Sequence, residues 1–393
     1  MKKHLFNLLF IISFLLLSSN IVYSQKNLPF DDICNFKNNY AVVKTGHKYG
    51  FIDTTGTIVG SMNIDLSSYT SFHREKFGMH GQHIYISKNG FNGSGIKKVS
   101  GEDIFKPIYH IEMINDFFVL SGKYNTSLII IVDLKGEIIY THKSNPSEKT
   151  EIIPISKELF AITDKSRTYT KKYALINNKS ELISDYKFQE ISKLSDGLIK
   201  VLAYSNSFGE SKWGFINEKG KTAIDFKFTY EPSDFVNGFA IYKSKSKKFG
   251  YINKSGNIVI KSDFELASHF NNRYAIVKTE MKFENNVLNQ GYKIIDTEGN
   301  IIHNLGKYKV EKSFEEYADL KIEDNNMIRI QYKEKRGLLD VNSMIVKLTK
   351  FNRINSFNSG LALVMFYENN IKYSGYINPK GELLFKTKTP NDF

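Results

Sequence analysis

One nine-residue pattern constrains this chain more than any other feature: Lys212-Trp213-Gly214-Phe215-Ile216-Asn217-Glu218-Lys219-Gly220. It returns as Lys248-Phe249-Gly250-Tyr251-Ile252-Asn253 running on to Gly256, and as Lys48-Tyr49-Gly50-Phe51-Ile52-Asp53 running on to Gly56. Weaker copies begin at Lys172, Gly291, Lys335 and Tyr373, and two eroded copies end at Gly101 and Gly136. The nine copies open their turns at positions 53, 98, 133, 177, 217, 253, 296, 340 and 378, between 35 and 45 residues apart. A period this steady marks a repeat architecture, in which each unit buries its apolar face against its neighbours.

Each position of the pattern has a physical reading. After the small residue come two apolar ones, as in Phe51/Ile52, Phe215/Ile216 and Tyr376/Ile377. Asp or Asn follows in eight copies, and Gly stands three residues later in seven. An Asp or Asn side chain accepts a backbone N–H two residues on, and the Gly supplies the positive φ that ends the turn. Apolar residues then resume, as in Ile58-Val59 and Ile258-Val259. This is a strand, a type I turn with a Gly bulge, and a returning strand. A second signal precedes the hairpin: Phe235-Val236-Asn237-Gly238-Phe239-Ala240-Ile241-Tyr242 recurs at Phe270 to Val277 and Phe357 to Val364, with a shorter version at Phe36 to Val43. Its Ala and β-branched run reads as another short strand.

The run Lys-Trp-Gly-Phe-Ile-Asn with its turn Gly, followed by Phe-x-x-Gly-x-Ala, resembles the WG-repeat family of bacterial proteins. The resemblance covers nearly all of the chain after residue 30, strongest around Trp213 and Phe249 and weak between about 80 and 185. Only one unit keeps the Trp; Tyr49, Tyr173, Phe249 and Tyr292 stand in elsewhere, and Arg336 and Ser374 depart from the pattern. The resemblance implies an all-β repeat protein, often exported, and supplies no catalytic residues.

The expected fold is all-β: about nine three-stranded antiparallel β-meander units of about 40 residues, with a fourth strand possible between units. An open, curved or superhelical stack is favoured over a closed propeller, because propellers typically have four to eight blades of four strands. Residues 25–393 read as one array without a linker, since Pro totals only 7 and no Ser/Gly-rich or charge-block segment interrupts the series.

Residues 1–24 read as a signal peptide. Lys2 and Lys3 precede an apolar run from Leu5 to Leu17, and Val22 and Ser24 suit cleavage before Gln25. That run is shorter than the roughly 20 residues a membrane-spanning helix needs. The expectation is an exported protein, periplasmic or extracellular, with no membrane span after cleavage. The single cysteine, Cys34, permits no internal disulfide, so stability rests on the apolar core. The formal charge of +13 falls to +11 once Lys2 and Lys3 are removed. A basic exported chain meets anionic surfaces. Dedicated nucleic-acid binding is disfavoured because no recognised nucleic-acid motif appears.

Lys48, Lys172, Lys212, Lys248 and Lys335 all stand just before the aromatic position, where a regular stack sets them at equivalent places as a basic stripe. The segment Lys243-Ser244-Lys245-Ser246-Lys247-Lys248 adds charge locally. The opposing reading is a solvated strand face in a Lys-rich sequence. Trp213 and its counterparts are either exposed platforms for sugar rings or, in the favoured reading, packing between units with the following Gly admitting close backbone approach. His73, His80 and His83 cluster near His110, yet no Cys, Asp or Glu completes a metal-ligand spacing. One Asp or Asn per turn is turn chemistry rather than a calcium site. No nucleophile motif, phosphate loop or HExxH is present, and no cofactor is implied. The reading is therefore a non-catalytic binding module for a protein, peptide or anionic envelope glycan. The alternative is an envelope scaffold acting by assembly.

Overall fold

The computed structural model describes residues 26–64, 84–88, 93–98, 100–122, 128–143, 150–163, 171–204, 210–311, 320–323 and 325–389. Residues 1–24, read as a signal peptide, and His73, His80 and His83 lie outside them. The described residues form β-strands and turns with no helix, and so none long and apolar enough to cross a membrane. The all-β, antiparallel repeat is as expected, and no sheet closes into a barrel.

The last unit shows the plan. Arg353–Ile354, Ala362–Glu368, Ile371–Ile377 and Leu383–Lys388 pair in that order, each antiparallel to the next. The second to fourth are the three expected strands. The first, only two residues long, is the fourth strand that the sequence leaves possible, and units one, seven and eight have it too, at Asp32–Ile33, Leu266–Ala267 and Lys309–Val310. Units two and three share the long strand Asp103–Ile114, while the Tyr173–Phe188 pairing joins units four and five into one seven-stranded sheet.

The motif turn forms as its residues dictate. The Asn217 carbonyl accepts the Gly220 N–H at 2.9 Å, and its side-chain Oδ1 accepts the N–H groups of Lys219 and Lys221 at 3.0 and 3.1 Å. The Asp53, Asp133, Asn177, Asn253 and Asp296 side chains do the same in their own turns. Lys98 has no such side chain, yet its carbonyl still accepts the Gly101 N–H at 2.9 Å, so the backbone turn outlasts the erosion. Within the third strand the motif Gly is a place of close approach: a Cβ on Gly250 would sit 2.5 Å from the Ile260 carbonyl oxygen.

The third strand is buried on both faces, and alternation divides its apolar pair between two neighbours. Phe215 packs toward the unit that follows, with Phe235 and Ala240, while Ile216 packs toward the unit before it, with Tyr173 and Leu175. Tyr251/Ile252, Leu338/Leu339 and Tyr376/Ile377 divide in the same way. The core is therefore a series of seams between units. Fully burying one such side chain stabilises by roughly 1.5–3 kcal/mol, so each seam is a substantial contributor.

The two ends of the array meet. Ile52, the second of the pair in the first unit, packs with Leu361, Tyr376 and Phe385 of the last. The strand Lys26–Asn27 adds in parallel to Leu383–Lys388, with Lys26 opposite Phe385 and Asn27 opposite Lys386. Leu28 N–H donates to the Lys386 carbonyl at 2.8 Å, Thr387 donates to the Phe30 carbonyl, and Asn355 donates to Asn35 Oδ1 at 2.9 Å. The array was expected to be an open stack; no single sheet closes on itself, but the first unit takes the place of the last unit's next neighbour. The physical reason is a supply of apolar surface: Leu28, Phe30 and Phe36 cover the face that a terminal unit otherwise exposes.

Candidate functional site

The third strand begins at the same end of every unit, and that end carries the expected lysines. Lys48 and Lys335 open their strands, Lys212 is second in Ser211–Ile216, and Lys172 and Lys248 directly precede theirs. Lys48 and Lys335 are exposed and the other three half-buried. Lys212 lies 3.5 Å from Glu210, and Lys248 lies 3.8 Å from Glu265, which also pairs with Lys278 at 3.2 Å. Lys48, Lys172 and Lys335 have no ion pair among the described residues. The structure places all five at equivalent positions and leaves three of them without an ion pair among the described residues.

Trp213 takes the packing role. It is buried, and the Lys200 ammonium lies 5.7 Å from its ring centroid. Glu231 and Asp234 of the next unit hold that ammonium at 2.7 and 3.2 Å. Tyr49, Tyr173 and Tyr292 are buried as well, with Lys44 and Lys278 over Tyr49 and Tyr292 at 5.8 Å. A ring covered in this way offers no open face to a sugar, so the binding role assigned to Trp213 as a platform has no geometry here.

Beside Lys248 a cleft of about 550 Å³ opens between the sixth and seventh units. Lys248, Lys282 and Lys293 share it with Asp263, Glu280 and Glu284. One wall is an inserted hairpin, Lys282–Glu284 paired with Val287–Asn289, which stands where units one, eight and nine connect their second and third strands by a short turn. The lining is polar throughout, suiting a hydrated ligand. Among the described residues no three His, Cys, Asp or Glu side chains gather to hold a metal.

A family model for the WG-containing repeat matches residues 213–247 and 249–282. Those two segments are WG-containing repeats. No curated protein matches the sequence of this chain. Solved structures similar to it include an uncharacterized protein of Listeria monocytogenes EGD-e, 12% identical, covering 73% of this chain and 97% of that one at a TM-score of 0.37. TolB of Acinetobacter baumannii is 12% identical over 70% of this chain and 77% of its own, at 0.25. Dipeptidyl peptidase 4 of Porphyromonas gingivalis is 8% identical over 91% and 65%, at 0.44.

The two matched WG repeats contain Ser246, Ser262 and Asp263 of the cleft's sixth-unit wall. Sequence reasoning identified Lys248 but missed Lys282, Lys293 and the hairpin that carries the first of them. The available signal was Asn285-Asn286, whose φ values of 49° and 62° make a tight turn between short strands. His110, the described member of the histidine group, is exposed on Asp103–Ile114.

Proposed function

We propose that this chain is an exported, non-catalytic binding module that presents a basic β surface to an anionic glycan of the cell envelope. The supporting observation is the common edge carrying Lys48, Lys172 and Lys335, each without an ion pair among the described residues. Cations set along one edge attract a polyanionic polymer. The aromatics beneath that edge hold the units together, so specificity rests on charge spacing and polar clefts rather than on ring stacking at Trp213.

The test is binding of the chain from Gln25 onward to purified acidic envelope glycans and their neutral counterparts, at low and at physiological salt. Selective binding to the acidic set that survives physiological salt is the expected result. Binding that vanishes with salt, or none, removes the proposal and leaves the charge as ordinary surface chemistry.

A further inference from the structure

Resting on that reading, we propose an acidic-sugar subsite in the slot between the inserted hairpin and the edge of the eighth unit. The slot encloses about 290 Å³, near the roughly 300 Å³ lower bound of ligand clefts. Three lysines, Lys307, Lys309 and Lys333, line it together with Tyr332, and among the described residues no carboxylate does. None of the three lysines has an ion pair among the described residues.

Two forces favour an anion there. Three ammonium groups around one slot repel each other, and an entering negative charge relieves that repulsion. The Lys307 ammonium is already drawn inward, 4.6 Å from the Tyr332 ring centroid and 5.6 Å from that of Tyr308, and the two rings meet edge to face at 5.8 Å. The site is thus organised before any ligand arrives, which lowers the cost of binding.

The rest of the lining narrows the anion to a sugar acid. Val287 and Leu288 of the hairpin give one apolar wall, suited to the C–H face of a sugar ring. Gln290 and Gln331 stand at the slot with amides that exchange hydrogen bonds with hydroxyls. Gln331 Nε2 donates to the Lys333 carbonyl at 2.7 Å, which turns its amide oxygen into the acceptor on offer. A carboxylate beside a hydroxylated ring satisfies lysines, amides and apolar wall together. Lys335 lies two residues beyond Lys333, so the slot sits at the basic edge.

The experiment titrates the chain from Gln25 onward with an oligogalacturonide and with its neutral methyl ester, by calorimetry at physiological salt. The combined Lys307→Gln, Lys309→Gln and Lys333→Gln variant is compared with Lys179→Gln, Lys219→Gln and Lys254→Gln, an equal charge loss at exposed motif turns. Binding of the acid but not the ester, weakened more than about tenfold by the first set and less than about twofold by the second, is expected from charge-assisted bonds of roughly 1.5–3 kcal/mol. Equal losses in the two sets overturn the subsite while the basic-surface reading stands. Failure of the unaltered chain to bind the acid overturns that reading and the subsite with it. The Gln290→Ala variant, which keeps every charge, is expected to weaken binding of the acid as well, and unchanged affinity argues against recognition of the sugar ring.

Discussion

The Tyr376 hydroxyl donates to the Cys34 carbonyl at 2.6 Å, joining the last unit of the array to the first. The same bond occurs mid-chain, where Tyr251 at the equivalent motif position donates to the Ser268 carbonyl at 2.8 Å. Each Tyr also packs on the next unit's Phe, Tyr376 on Phe36 at 4.7 Å and Tyr251 on Phe270 at 4.8 Å between centroids. Phe215 meets Phe235 at 4.9 Å without a hydroxyl to donate. The junction of the two ends is thus one more copy of the ordinary seam. Turn residues repeat the theme: Asn237 Nδ2 donates to the Phe270 carbonyl at 2.8 Å, and across the ends the Asn39 N–H donates to Ser359 Oγ at 2.7 Å.

Removing either tyrosine hydroxyl leaves a seam carbonyl, buried at Ser268 and half-buried at Cys34, without that donor, at a cost of about 1–3 kcal/mol. Tyr251→Phe and Tyr376→Phe are therefore expected to lower stability by similar amounts in chemical denaturation. Hydrogen exchange separates them. Tyr376→Phe speeds exchange in residues 26–36, whereas Tyr251→Phe speeds it in residues 266–276. Burial holds both phenols well above the usual tyrosine range, so neither bond is lost to ionisation in mildly alkaline solution.

Gly250→Ala is expected to destabilise by about 1–3 kcal/mol, because its new Cβ meets the backbone at Ile260 and Lys261 rather than a yielding side chain. The check is a lower denaturation midpoint with an unchanged slope. An unaffected midpoint would mean that the third and fourth strands part easily at this bulge.

Much of this was legible in the residues. Phe215/Ile216 and its counterparts announced the strand, and Asn217 with Gly220 announced the turn, because both signals are local. The two-residue strand at Leu266–Ala267 was not, since alternation needs more residues to show. The meeting of Ile52 with Tyr376 was illegible for another reason: a repeat period carries no information about the angle between successive units. Trp213 illustrates a third limit. Its burial depends on Lys200, which replaces the aliphatic residue found at the same place in Ile241 and Ile276, and on two carboxylates of the following unit.

A pH effect follows from Glu368, which hydrogen bonds to Lys350 and Lys386 hold at a pKa of about 2, below its ordinary 4.5. A lowered folded-state value means the contribution is present above about pH 4.5 and is lost as pH falls toward about 2. The pair partners are partly exposed, so the effect stays below about 1 kcal/mol each. Melting temperatures of the parent and Glu368→Gln should differ near neutrality and converge in acid. A constant difference across that window would assign Glu368 a role other than its charge.

Closure of the array is tested most directly by a cross-link. Asn27 and Lys386 are opposite one another in the parallel pairing, and neighbouring strands lie about 4.8 Å apart, inside the range a disulfide bridges. In a Cys34→Ser background, Asn27→Cys with Lys386→Cys is expected to form an intramolecular disulfide on mild oxidation, seen as a monomer lacking two thiols in mass spectrometry. Free thiols, or cross-links only between molecules, would contradict the joining of the two ends.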